Sequence, residues 1–216
     1  MGQKVNPTLM RTGGIFNWKS RWFADKKNYA SNVLEDYRLR EYLEKKLGNA
    51  GLVDVSIKRS ISKLTLIIEV ARPGVVIGKG GQNLEKIKAD IDHIVNTSKI
   101  KKEKSRIELK IEEVKKPDLS AKLVAERIIG QLISRYPHRR AVKQAMERVM
   151  GAGAKGIKIQ LSGRIAGAEI SRNEKYFQGS IPTQTLRANI DYYEHPAITR
   201  SGYIGIKVWI YKGEIV

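Results

Sequence analysis

An apolar run, Val75-Val76-Ile77, stops at Gly78, and a new amphipathic pattern starts just past Gly81. The residues between, Gly78-Lys79-Gly80-Gly81, must turn the chain tightly while carrying a cation and almost no side-chain bulk. Glycine accepts positive φ and lets a large partner come close. A turn between two helices presents free amide N–H groups and the positive end of the second helix, so it favours an anion. With Lys79 at the tip, that anion is expected to be a phosphate. The bland reading is a C-cap glycine followed by a turn, and the flanks decide between the two.

Before the loop, Leu34, Tyr37, Leu39, Tyr42, Leu43 and Leu47 give an apolar side to a helix over about Asn32–Leu47, which Gly48 and Gly51 end. Val53, Val55 and Ile57 alternate with polar residues, as do Leu64, Leu66, Ile68 and Val70. Both runs predict strands with one buried face, joined by a hairpin turn at Arg59-Ser60-Ile61-Ser62. Pro73 and Gly74 open a short helix. After the loop, Leu84, Ile87, Ile91, Ile94 and Val95 line one face of a second helix over about Gln82–Val95. Thr97–Lys104 is a basic connection, and Ile107, Leu109 and Ile111 mark a third strand. The order helix–strand–strand–helix–loop–helix–strand, with Gly-x-x-Gly at that point, resembles the type II KH domain. That resemblance implies an RNA-binding module whose loop clamps about four nucleotides through their backbone.

The chain has 216 residues, enough for one large domain or two ordinary ones, and 41% hydrophobic side chains, enough for a packed core. It carries 41 Lys and Arg against 22 Asp and Glu, a net charge of +19. An excess of this size calls for a polyanion, usually nucleic acid, bound in a salt-dependent way. An anionic membrane surface would want a basic helix backed by exposed Trp, Phe and Leu, and none stands out; no membrane partner is expected. There is no cysteine and no apolar leader at the N-terminus, which fits a reducing cytoplasm.

Residues 1–28 read as a basic arm, with Lys4, Arg11, Lys19 and Arg21 as candidate phosphate contacts and Trp18, Trp22 and Phe23 chiefly as anchors. Lys115-Lys116-Pro117-Asp118 reads as a linker, with Asp118 or Ser120 able to cap the next helix. That helix spans about Leu119–Tyr136, and another spans His138–Met150. On the second, Ala141, Val142, Ala145, Met146 and Val149 fall on one side. Arg139, Arg140 and Lys143 cluster on the other, with Glu147 as the only carboxylate nearby. Gly151-Ala152-Gly153-Ala154-Lys155-Gly156 matches Gly-x-Gly-x-x-Gly, but a helix precedes it and a strand (Ile157, Ile159, Leu161) follows. A dinucleotide fingerprint needs the reverse order. Further strands are expected at Thr185–Tyr192 and Ile204–Trp209. The expected fold class is α+β, with three parts. These are a basic arm at 1–28, a type II KH domain (αββααβ) at 29–115, and a domain at 118–216 of two helices on an antiparallel or mixed sheet.

Several longer segments resemble the bacterial small-subunit ribosomal protein S3 family. They include Met1-Gly2-Gln3-Lys4-Val5-Asn6-Pro7, Ala71-Arg72-Pro73-Gly74 through Lys79, and Gly153-Ala154-Lys155-Gly156-Ile157-Lys158. Others are Ser162-Gly163-Arg164, Thr185-Leu186-Arg187-Ala188 and Val208-Trp209-Ile210-Tyr211-Lys212-Gly213-Glu214. The resemblance implies a structural protein of the small-subunit head that binds 16S rRNA. It also implies contact with mRNA where message enters the subunit, and neighbours such as ribosomal proteins S10 and S14. In the family an Arg-Arg-x-x-Lys pattern on a helix lines that channel, and here it falls on Arg139, Arg140 and Lys143, followed by Gln144 where members often carry another cation.

No catalytic residue, cofactor or metal is expected. His93, His138 and His195 lack metal-ligand spacing, and Gly78-Lys79 has neither the upstream glycine nor the following Ser or Thr of a Walker motif. Nothing suggests a homo-oligomer. The alternative is a free-standing KH regulator that binds mRNA away from the ribosome.

Overall fold

A computed structural model of the chain describes residues 4–60, 63–96 and 106–215. It divides into two compact units: Trp18–Lys115, and Lys116–Val216 together with the chain up to Asn17. The expected arm at 1–28 is thus no unit of its own. The division falls between Asn17 and Trp18, and α1 (Lys26–Leu47) already begins inside it.

The unit from Trp18 to Lys115 is built on a four-stranded mixed sheet in the order β1 (Ser20–Arg21), β2 (Leu52–Arg59), β3 (Lys63–Val70), β4 (Arg106–Glu113). β2 and β3 are antiparallel, and β3 and β4 are parallel. The alternation of β3 holds as read, with Leu64, Leu66, Ile68 and Val70 buried. In β2 the register shifts between Leu52 and Asp54, so Leu52, not Val53, joins Val55 and Ile57 in the core. α1, the short α2 (Pro73–Ile77) and α3 (Gln82–Asn96) close the core with Leu39, Leu43, Leu47, Val76, Ile87, Ile91 and Val95. The connection at Thr97–Lys104 and the turn residues Ile61 and Ser62 lie outside the described residues.

The expected apolar side of α1 fails in its first half: Leu34 and Tyr37 are exposed, and Glu35 and Asp36 are buried instead. The cause is Arg59. Its Nη1 lies 2.7 Å from Glu35, and its Nε donates to Asp36 at 2.9 Å. Asp36 also accepts from the Ser20 hydroxyl and the Trp22 indole, each at 2.9 Å. One arginine and two carboxylates therefore join α1, β1 and β2 in the place that an apolar residue would otherwise fill.

In the other unit, α4 (Ala121–Ile133) and α5 (His138–Gly151) pack on a wholly antiparallel sheet. Its order is β6 (Arg172–Gly179), β5 (Gly156–Gly163), β8 (Gly202–Glu214), β7 (Ala188–Thr199). Ile157, Ile159 and Leu161 meet Ile204, Ile206, Val208 and Ile210 beneath Val124, Ile128, Val142 and Val149. Sequence reading passes over β6. It is an edge strand of mostly exposed residues with β5 as its partner, so it lacks an apolar alternation. At the start of α4, Ser120 takes the cap position without a capping hydrogen bond, and its hydroxyl is buried with no partner. The Ala121 N–H donates instead to Asp191 at 3.2 Å, and Asp118 pairs with Arg127 at 2.7 Å.

Arg59→Ala would strand Glu35 and Asp36 in a buried site. Removing one partner of such a network costs about 3–5 kcal/mol, so a denaturant midpoint lowered to match is expected, and an unchanged midpoint would show the network to be dispensable.

Candidate nucleic-acid interface

The Gly78–Gly81 loop joins α2 to α3 with three positive φ angles: 71° at Gly78, 64° at Gly80 and 81° at Gly81. Two of these answer different needs. Gly80 has open space where a Cβ would go, so only its left-handed backbone selects glycine. At Gly78 a Cβ would also meet the Asn83 side chain at 2.7 Å; Asn83 itself donates to the Val75 carbonyl at 3.3 Å and ties the loop to α2. Lys79 is exposed at the tip. Of the apolar run before it, only Val76 is buried, while Val75 and Ile77 face solvent beside the loop. Bases and a sugar–phosphate backbone would find both an apolar and a cationic surface there.

The first 28 residues behave differently from the expected arm. Arg11 is only 2% exposed. Its guanidinium donates to the carbonyls of Pro7, Thr183, Thr185 and Ala188 at 2.7–3.0 Å. With four N–H groups on backbone oxygens and the side chain buried, it is not placed to meet a phosphate, so the assignment of Arg11 to RNA contact is corrected: it pins the N-terminal segment to its own unit. Lys19 is solvent-facing but pairs with Asp54 at 3.0 Å, and Arg21 is exposed on β1. Trp22 is anchored on Asp36 and against Tyr29. The expected anchoring of Trp18 and Phe23 is not seen: they are 66% and 94% exposed. Exposed rings among cations suit base stacking.

On α5, Arg139, Arg140 and Lys143 are all exposed. Arg139 is partly drawn off by β6, where it lies close to Glu174 and Tyr176. The Tyr176 hydroxyl donates to Glu174, which also pairs with His138 at 3.1 Å. That hydrogen bond, followed by the charges of His138 and Arg139, holds Glu174 below the usual carboxylate range. Gln144 accepts from Gln131 at 3.3 Å and adds no charge.

The helix-free face of this unit's sheet holds cations that sequence reading missed. Lys158 stands opposite Phe177 on β6 and Trp209 on β8, its ammonium 5.0 Å from the Trp209 ring centre. Burial, then the nearby charges of Lys4 and Lys175, push the Lys158 ammonium below its ordinary pKa. Phe177 projects into solvent beside them. The signal was present as Lys158 alternating with Ile157 and Ile159, but the strand that completes the group, β6, was not foreseen. Three crowded ammonium groups next to an exposed ring leave a deficit that a phosphate would fill. Among the described residues no group of three or more His, Cys, Asp or Glu is placed to hold a metal ion, and no helix is long and apolar enough to cross a membrane.

Comparison with known proteins follows the same division. Residues 38–119 match the family described as KH domain, and residues 128–210 match that described as Ribosomal protein S3, C-terminal domain. The chain is 50% identical over its full length to the small ribosomal subunit protein uS3 of Lachnoclostridium phytofermentans, covering 94% of that protein. The chain belongs to the small-subunit ribosomal protein S3 family. The uS3 proteins of Exiguobacterium sibiricum and Ligilactobacillus salivarius are 49% and 47% identical to it, again over the whole chain and over 95% of theirs. Family S3 is one of ribosomal proteins, not of enzymes, and its KH and C-terminal domains account for the two matched regions.

Two substitutions separate structural from interfacial cations. Arg11→Ala leaves four carbonyls without their donor and should lower stability by at least about 2 kcal/mol, while the salt dependence of RNA binding stays as it was. Lys158→Met should raise the melting temperature of the free protein, because a desolvated and crowded charge is gone. It should also cut the salt slope of RNA binding by about one unit. A Lys158→Met protein that binds RNA with the parent's slope would remove this face from the interface.

Proposed function

We propose that this chain is a structural constituent of the small ribosomal subunit in the cytoplasm, binding 16S rRNA through both units and lining the channel through which mRNA enters. The observation that carries the reading is the family match over the full chain, joined to a net charge of +19 and exposed cations on both units. In this reading the Gly78-Lys79-Gly80-Gly81 loop holds a nucleic-acid backbone by glycine-permitted close approach and the α3 N-terminus. Lys4, Lys19 and Arg21 serve as further phosphate contacts.

Arg139, Arg140 and Lys143 are assigned to mRNA. Projecting from a helix held rigid by Ala141, Val142, Ala145 and Val149 in the core, they present charge at fixed spacing. Contact with a single strand at such a patch favours the open form of a message hairpin without any bond being made or broken. It is an ATP-independent contribution to unwinding by binding alone. Protein neighbours, with S10 and S14 as the named candidates, are supported by the exposed Val33, Leu34 and Tyr37 on α1.

Three measurements test the assignment. The protein should co-sediment with small subunits at high salt; release into the free fraction with message still bound would instead favour a free-standing KH regulator. Ribosomes carrying Arg139→Ala, Arg140→Ala and Lys143→Ala together should translate a message with a stable hairpin more slowly than parent ribosomes, with little change on unstructured message. Equal slowing on both templates would remove the channel role. Lys79→Asp should weaken RNA binding at moderate salt with the fold intact, and unchanged affinity would take the loop out of the interface.

A further inference from the structure

Between the end of α4 and the turn joining β7 to β8 lies a cavity of about 320 Å³, near the small end of the ~300–1,000 Å³ typical of ligand sites. Leu132, Ile133, Tyr136 and Ile204 give it apolar lining. Arg135, Arg164 and Arg200 come to it from three separate segments, and no carboxylate lines it. Arg164 is oriented by a hydrogen bond from its Nε to the Ala168 carbonyl at 2.9 Å. His138, also at the wall, is engaged with Glu174 and adds no free charge. Three arginines at one cleft with no carboxylate on its wall give it a local excess of positive charge, which an anion would offset.

The backbone points to the same place. Among the described residues, two other than glycine have positive φ: Arg135 at 58° and Ala166 at 55°. Both line this cavity. The Arg135 N–H bonds to the Leu132 carbonyl at 3.0 Å and the Tyr136 N–H to the Gln131 carbonyl at 2.9 Å, so Arg135 ends α4 where glycine is the unstrained choice. An arginine held in a left-handed conformation at a cavity wall is strain placed where a ligand would be clamped.

We propose that this cavity is a nucleotide site: the apolar wall and Tyr136 receive a base, and Arg135, Arg164 and Arg200 receive its phosphate. Guanidinium groups grip phosphate oxygens in pairs, and an aromatic ring stacks on any base. The nucleotide comes either from an RNA strand or from the free pool, and the phosphate chemistry is the same for both. For the RNA source alone the inference rests on the RNA-binding reading above.

The test titrates the full chain with adenosine monophosphate, a trinucleotide and inorganic phosphate, followed by nuclear magnetic resonance shifts of residues around Tyr136. Either nucleotide probe is expected to bind more tightly than inorganic phosphate, and Arg200→Glu should weaken it at least tenfold. Loss confined to the trinucleotide assigns the site to an RNA strand; loss of both admits free nucleotide as well, and either result supports the site. Arg135→Gly supplies a readout that a purely structural role would not move, since it should raise the melting temperature and yet weaken nucleotide binding. Binding of inorganic phosphate as tight as that of the nucleotides, or unchanged affinity in both variants, overturns the proposal. Because co-sedimentation of the parent chain with small subunits is scored separately, failure here leaves the ribosomal assignment intact.

Discussion

Nineteen positive charges in excess are the constraint within which this chain folds. The few carboxylates cannot neutralise the cations, so where they are placed decides which cations become structural. Glu35 and Asp36 are committed to Arg59, Asp118 to Arg127 and Asp191 to Lys212. Glu174 is engaged by Tyr176 and His138. Apart from the Tyr176 contact inside β6, each of these fastens one segment of the chain to another. Among the described residues, the crowded lysines on the β5–β6 face and the arginines lining the cavity beside α4 have no such carboxylate partner, and they are the groups positioned to meet an external anion.

Arginine fills two opposite roles in this setting. Arg11 and Arg59 are interior fasteners, one satisfied by carbonyl oxygens and the other by carboxylates. Arg139 and Arg140 stand in solvent on a helix whose other side is fixed in the core. The residue type is the same, and the surrounding acceptors make the difference. Five donors in a rigid fork suit both a ring of carbonyls and a phosphate.

That duality marks where the sequence stopped being legible. The elements with strong periodicity, β3, α3, α5 and β5, were readable because one face of each is continuously apolar. The Gly-x-x-Gly turn could be placed because its flanks set it between two helices. β1 and β6 were not readable: the first is two residues long, and the second is an exposed edge in which polar and aromatic residues mix. The first half of α1 was misassigned because Glu35 and Asp36 look like a solvated face until Arg59 is brought across from β2. Arg11 looked like a phosphate ligand because three of its four carbonyl partners lie more than 170 positions away, and spacing along the chain carries no trace of them.

The unit assembled from two separate stretches of the chain has a consequence for biosynthesis. A polypeptide leaves the ribosome N-terminus first, and its domains fold as they emerge. Trp18–Lys115 is contiguous and can close as soon as it is made. The segment around Arg11 cannot: three of the four carbonyls it meets exist only when Thr183, Thr185 and Ala188 have been synthesised. Until then the leading segment is an unsatisfied cationic thread ahead of a finished domain. The loop before β7 and the first residue of that strand retrieve it, so the second unit closes only after the first has had time to fold.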